Sequence, residues 1–144
     1  QREQSLFVED GQGTLRKSRL DALTKGNVIP DLKTTESAAL DSFERSISRY
    51  RLHVQAAYYL DNCNLAGIEK VSFFFICVEK SPPYAVRCLQ LMGEVIEYGR
   101  ILYRRDLQIY RNCLDTGLWP AWEDDFTECA LPTWEMKQLE NASV

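Results

Sequence analysis

Five side chains in the first half of the chain have the types and spacing for chemistry: Asp21, Asp31, Lys33, Gln55 and Tyr59. Two carboxylates held face to face repel unless positive charge lies between them. A hard cation such as Mg²⁺ meets that need, taking oxygen ligands and keeping several waters. Bound there, it can acidify a water as nucleophile and neutralise charge building on a phosphate. The ammonium of Lys33 can orient that water or stabilise a pentavalent phosphate. Gln55 and Tyr59, four apart and so one helical turn apart, can present an amide and a hydroxyl to the same place.

The elements that must position these groups follow from periodicity. Residues 15–24 and 28–34 read as strands, separated by Lys25-Gly26-Asn27. Gly and Asn tolerate positive φ, so a three-residue hairpin loop is expected. In that register Thr24 faces Val28 and Asp21 faces Asp31. Asp31 and Lys33 then share one face, and Asp21 joins them. A slip of one residue would remove Asp21 from the cluster. Pro30 cannot donate to a ladder, which predicts a bulge or bend just before Asp31. Ser37 is the expected N-cap of one helix ending around residues 62–67. Leu40, Phe43, Ile47, Tyr50, Val54 and Tyr58 keep helical spacing and should pack on the sheet. Arg51, Gln55 and Tyr59 form the neighbouring stripe, expected to face the acids.

At these residues the sequence resembles a known family. Lys17-x-Arg19-x-Asp21, then Asp31-Leu32-Lys33-Thr34-Thr35, then His53-Val54-Gln55-x-x-x-Tyr59 look like the PD-(D/E)XK nuclease superfamily. The nearest likeness is to RecE-type exonucleases of phages and prophages, relatives of lambda exonuclease. The turn at 79–84, Trp119-Pro120 and Leu131-Pro132-x-Trp134 agree, so the likeness runs over nearly the whole chain. A bare D…DxK is common by chance; the ordered set with QxxxY on the next helix is more specific. The literal Pro30-Asp31 is not the motif's PD, because Asp21 is the first acid and Asp31 fills the (D/E) of (D/E)XK.

Before and after the central unit the pattern is that of a mixed fold. Residues 4–8 should be a strand and 9–13 a turn. Residues 71–78 are a near-continuous apolar run, expected to be a central strand buried on both faces. Ser81-Pro82-Pro83 breaks the chain, and 84–91 should form a further strand. From Gly93 to about Leu114 a long amphipathic helix is expected. Val95, Ile96, Leu102, Ile109 and Cys113 would face inward, and Arg100, Arg104, Arg105 and Arg111 outward. A Trp- and Pro-rich tail follows, with a short helix over 134–140. The sum is a single α/β domain of mixed α+β type over residues 1–144. Its core would be restriction-endonuclease-like, a mixed central sheet of about five strands flanked by helices.

Composition bounds the reading. At 144 residues, 45% hydrophobic and 11% aromatic, the chain can bury a real core and is not of disordered type. No apolar run approaches the ~20 residues of a membrane span. The five cysteines are odd in number, widely spaced and without CxxC, the usage expected of free thiols in a reducing cytosol. An iron–sulfur cluster needs clustered cysteines, and one histidine, His53, makes a zinc site improbable. Net charge is −4, a mild argument against a nucleic-acid partner. Residues 1–51, however, carry nine basic against eight acidic side chains, and the acids gather near the end in Glu123-Asp124-Asp125 and Glu128. Phosphate contacts are local, so a basic groove can sit on an acidic protein.

Each singled-out residue also has a plain reading. The aspartates could be hairpin surface charges, Lys33 a solvated edge charge and Gln55 an exposed helix residue. Tyr59 could be core, His53 a packing residue, Arg100, Arg104 and Arg105 a solvated helix face. Phe73–Phe75 reads as core, not as a stacking platform.

The resemblance implies a Mg²⁺-dependent deoxyribonuclease, with Mn²⁺ as substitute. The implied activity is 5′-to-3′ exonuclease action on double-stranded DNA ends, releasing mononucleotides. The 3′ single strand left behind would pass to a single-strand annealing protein. Asp21, Asp31 and the Leu32 carbonyl would bind metal, and Lys33 would activate the water. Gln55 and Tyr59 would orient water, Lys33 or phosphate. Lys17, Arg19 and Arg51 would hold the DNA backbone or terminal phosphate. Relatives form rings, so a homo-oligomer is implied. An upstream helical segment with a further acid is implied too, which would make these residues the carboxy-terminal catalytic piece of a longer cytoplasmic protein. Two other readings stay open: a structure-specific or restriction-like endonuclease, and a non-catalytic DNA or protein adaptor.

Overall fold

The computed structural model describes residues 2–121 and 128–142. The acidic run Glu123-Asp124-Asp125 lies outside the described residues. Strands β1 (Arg2–Glu9) and β2 (Leu15–Ala22) form an antiparallel ribbon. β3 (Val28–Thr35) pairs in parallel with β4 (Ser72–Glu79), and β4 pairs antiparallel with β5 (Val86–Gln90). The mixed class and the five strands are as expected, but their ladders split into a two-stranded and a three-stranded sheet. β3 and β4 are joined by the crossover that a parallel pair requires. It holds two helices, α1 (Leu40–Arg49) and α2 (Leu52–Leu65), and α2 lies against β1, β2 and β4 alike.

The expected β2–β3 hairpin does not form, and the reason is local. Carbonyls of the 24–27 turn are taken by other partners. Buried Lys70 donates through Nζ to the carbonyls of Thr24 (2.8 Å) and Gly26, and the Val71 amide donates to Asn27 (2.9 Å). The turn is thereby fastened to the start of β4, and β3 runs beside β4 instead of folding back on β2.

Alternation sets the core. Ile29 and Asp31 of β3 and Phe73, Phe75 and Cys77 of β4 point to the helical side, where Phe43, Ala56, Ala57 and Leu60 meet them. Phe75 packs edge-on against both Phe43 and Phe73, centroids 5.5 and 5.3 Å apart. Such pairs are worth about 1 kcal/mol each beyond burial. Contrary to expectation β4 is buried on one face only. Phe74, Ile76 and Val78 on the other are half-buried, beside exposed Leu32 and Val86.

One continuous helix was expected from the Ser37 cap to around residues 62–67; two are found. Arg51 takes a left-handed conformation (φ 54°) that ends α1 and starts α2, and its guanidinium pairs with Asp106 at 2.5 Å. Ser37 is not the N-cap; Ala39 is, while the Ser37 hydroxyl accepts the Ala39 amide two residues on. Leu40 and Tyr50, assigned to the packed stripe, are exposed: Leu40 is the first residue of α1, and Tyr50 is its C-cap, where the helix breaks.

Helix α3 (Gly93–Thr116) packs along α2. At Gly99 the backbones nearly touch: a Cβ there would lie 2.2 Å from the His53 carbonyl oxygen. Gly99→Ala should therefore destabilise the fold by at least about 3 kcal/mol, despite alanine's better helix propensity. Urea unfolding would measure it, and a neutral or stabilising effect would contradict the close crossing. Ile109, expected inward, is exposed on the distal half of the helix. Arg100 and Arg111, expected outward, are turned in: Arg100 forks onto Asp61 (2.7 and 2.9 Å) and Arg111 pairs with Asp10.

These pairs belong to a charged region around a cavity of about 670 Å³ lined by Asp10, Arg16, Asp61, Arg100, Tyr103 and Arg104. Asp10 is buried and accepts from the Gln12 and Thr14 amides and from Arg16. Burial alone would push its carboxyl up; the Thr14 amide, Arg16 and the Gln12 amide outweigh it and lower it from 3.8 to about 2. A depressed carboxyl contributes stability above its unfolded value and loses it as pH falls through the folded one. Unfolding free energy should therefore drop between pH 3.8 and about 2, and Asp10→Asn should flatten that part of the profile.

A short fourth helix, α4 (Thr133–Ala142), ends the described chain. All five cysteines are free; Cys63, Cys77 and Cys113 are buried, Cys88 and Cys129 exposed. Among the described residues no helix is long and apolar enough to cross a membrane.

Candidate active site

The site is built on β3. Its alternation puts Asp31 and Lys33 on the helical side, two residues apart, so one strand supplies both an acid and a base. Asp31 is 2% exposed. The Lys33 ammonium pairs with its Oδ2 and also lies 5.9 Å from the Phe75 ring centre. From α2, Gln55 Nε2 donates to Asp31 Oδ1 at 3.3 Å. α2 can aim this amide because it starts afresh after Arg51, with Ala56 and Ala57 buried flat on the sheet.

Asp21 arrives from the other sheet. It sits on the exposed face of β2, and its Oδ2 accepts the Leu32 amide at 2.8 Å. The two aspartates are not a cross-strand pair, as the hairpin register required. They meet because the edge of β3 facing away from β4 is unladdered there, and a carboxylate takes the amide that a strand would otherwise have paired. Burial pushes the Asp31 carboxyl up; Lys33 pulls it down, and the negative charge of Asp21 pushes it up again, leaving it raised.

This arrangement fits a hard cation. Asp31 Oδ2 is buried, and among the described residues its partner is the Lys33 ammonium. That one ammonium does not offset burial and the charge of Asp21, which together leave the Asp31 carboxyl raised; a divalent cation between the two acids would. The donors are oxygens: Asp31, Asp21 and the Leu32 main chain, whose carbonyl leaves an extended strand on the same edge as its amide. Among the described residues no group of three or more His, Cys, Asp or Glu could hold a metal. The set therefore suits an ion that completes its shell with water, as Mg²⁺ does, and not tetrahedral zinc.

The remaining candidates are placed less directly. Tyr59, one turn beyond Gln55, is half-buried against the core cluster, and its hydroxyl forms no hydrogen bond among the described residues. Lys17 and Arg19 share the outward face of β2 with Asp21; Lys17 lies over Phe7, and Arg19 pairs with Glu3 at 2.5 Å on the surface. Arg51 does not continue the Gln55–Tyr59 stripe. Its left-handed backbone takes it out of that helical phase, and Asp106 of α3 holds it. His53 is a buried packing residue, stacked on Tyr98. The arginine-lined cavity carries no sequence motif: its members come from the β1–β2 turn, β2, α2 and α3, too far apart for any local spacing to show them.

Residues 1–130 match the model of a family described as PDDEXK-like domain of unknown function. No curated protein matches. Among solved structures, one from Eubacterium rectale described as "Putative exonuclease" superposes with a TM-score of 0.72 at 16% identity. The match covers 94% of this chain and 56% of that one, so this chain spans little more than half of the solved chain.

Proposed function

Since the chain belongs to the family of PDDEXK-like domains of unknown function, we propose that it is a divalent-metal-dependent deoxyribonuclease. The observation that carries this reading is the convergence of Asp31, Lys33 and Gln55 with Asp21, around a buried carboxylate whose burial and repulsion Lys33 offsets only in part. Asp21, Asp31 and the Leu32 carbonyl would hold the ion, Mg²⁺ first and Mn²⁺ as substitute. When bound, it supplies an acidified water and charge neutralisation at the phosphate.

The chain's own residues do the rest. Gln55 fixes Asp31 through Oδ1, and Oδ2, shared with the Lys33 ammonium, is the oxygen that would ligate the ion. Lys33, tethered by its ion pair, presents an ammonium to the attacking water or to the charge on the phosphate. Tyr59 adds a hydroxyl one turn further along α2. Lys17 and Arg19, on the face of β2 that bears Asp21, contact the DNA backbone. Arg51 would reach a phosphate only by leaving Asp106.

The finer reading is 5′-to-3′ digestion of linear duplex ends, with a 3′ strand left for an annealing partner. It rests on the likeness to RecE-type exonucleases, and the likeness in fold to a chain described as an exonuclease supports it. The test is end-labelled linear duplex, with and without a 5′ phosphate, beside a covalently closed plasmid, each with Mg²⁺ or Mn²⁺. Mononucleotides from the linear substrate alone are expected. Nicking or linearisation of the plasmid would point to an endonuclease instead.

A further inference from the structure

No ladder joins β2 to β3, yet Asp21 sits on one strand and Asp31 on the other. Something besides strand pairing must fix how the two acids lie. Helix α2 reaches both strands. Gln55 and Asn62 are seven apart, two helical turns, so they share one stripe with Tyr59. Gln55 Nε2 donates to Asp31 on β3 at 3.3 Å. Asn62 Nδ2 donates to Ser18 Oγ on β2 at 2.7 Å. Ser18 is on the inner face of β2, three residues before Asp21. One stripe of one helix is thus bonded to both acid-bearing strands.

Asn62 is fully buried and Ser18 is 1% exposed, so neither touches substrate. Asn62 Oδ1 is buried too, with no hydrogen-bond partner among the described residues. An amide half answered in a dry core costs stability that a leucine of similar shape would not. Cohesion therefore explains the pair poorly, and registration explains it well. Apolar contacts such as those of buried Leu20 hold β2 against the core but have no direction. A slide of two residues would keep every side chain of β2 on its face and carry Asp21 about 7 Å. A polar pair in a dry core has one setting. We propose that Asn62 and Ser18 are positioning residues that set Asp21 against Asp31. Their consequence for ligation rests on the nuclease reading above; the placement of Asp21 does not.

Ser18→Ala combined with Asn62→Leu removes every polar atom of the pair and tests this. Ser18→Ala alone orphans the whole amide and should destabilise the fold in urea. The double change should bring stability back to that of the parent chain or above it. A merely structural role would then be repaired in full; placement should not be. In the metal-free double variant the Leu32 amide proton, deshielded by the Asp21 carboxylate that accepts it, should move upfield. The Phe75 amide on β4 should stay where it is. Affinity for Mn²⁺, read by titration of its paramagnetic signal, should fall by about 10–100-fold. An unmoved Leu32 resonance in a double variant as stable as the parent would overturn the proposal. So would a double variant that fails to recover stability, which would make the pair a matter of cohesion. A Leu32 shift in a chain that binds no Mn²⁺ even unsubstituted would uphold the placement and remove the nuclease reading instead.

Discussion

Lys33→Ala should reduce the proposed cleavage by about 10³-fold while duplex binding changes less than about threefold. The expectation follows from what Lys33 touches. Its ion-pair partner among the described residues is Asp31 Oδ2, and it is one cation among several that could meet a duplex, so little ground-state affinity depends on it. What it offers is a fixed positive charge beside a carboxylate that would carry the ion, where charge builds only as the phosphate is attacked. Interactions made only in the transition state appear in the rate and not in binding. Single-turnover digestion and fluorescence anisotropy on the same duplex separate the two. Equal loss in both would mean that Lys33 simply holds DNA, and the role assigned to it would fall.

Asp31→Asn should act in the opposite sense on the free protein and on its response to metal. The carboxyl of Asp31 is buried, lies near the charge of Asp21 and is raised from its ordinary value, so the fold favours its neutral form. Asparagine mimics that form, and thermal stability without added metal should rise. For the unsubstituted chain, Mg²⁺ or Mn²⁺ at a hundred times its dissociation constant should add about 2.7 kcal/mol. In a domain of this size that is roughly 5–10 °C in melting temperature. In Asp31→Asn the increment should vanish. Unchanged stabilisation by metal in the variant would place the ion elsewhere.

The elements that carry this chemistry were legible in unequal degree. β3 and its acid–lysine pair could be read because a period of two is local, and Asp31 and Lys33 need only their own strand to share a face. Gln55 could be read for the same reason on a helix. The partner of β3 could not. Gly26 and Asn27 signalled a turn correctly, but the choice between folding back on β2 and running beside β4 was made by Lys70 and Val71, more than 40 residues downstream. The break at Arg51 was hidden because arginine is not a helix breaker. Its conformation is accompanied by an ion pair to Asp106, 55 positions away. Gly99 did leave a signal: a glycine inside a long helix costs about 1 kcal/mol against alanine and invites the question of what crosses it. The inward turn of Arg100 and Arg111 left none, since Asp61 and Asp10 lie on other elements.

Asp21 has a double allegiance. Its carboxylate is at once a proposed ligand and the acceptor of the Leu32 amide at the border between the two sheets. Whatever draws that carboxylate toward an ion loosens its hold on that amide. Solvent exchange at the Leu32 N–H thus becomes a gauge of how the protein spends one acid between cohesion and ligation. The seam would breathe more, not less, when the site is filled.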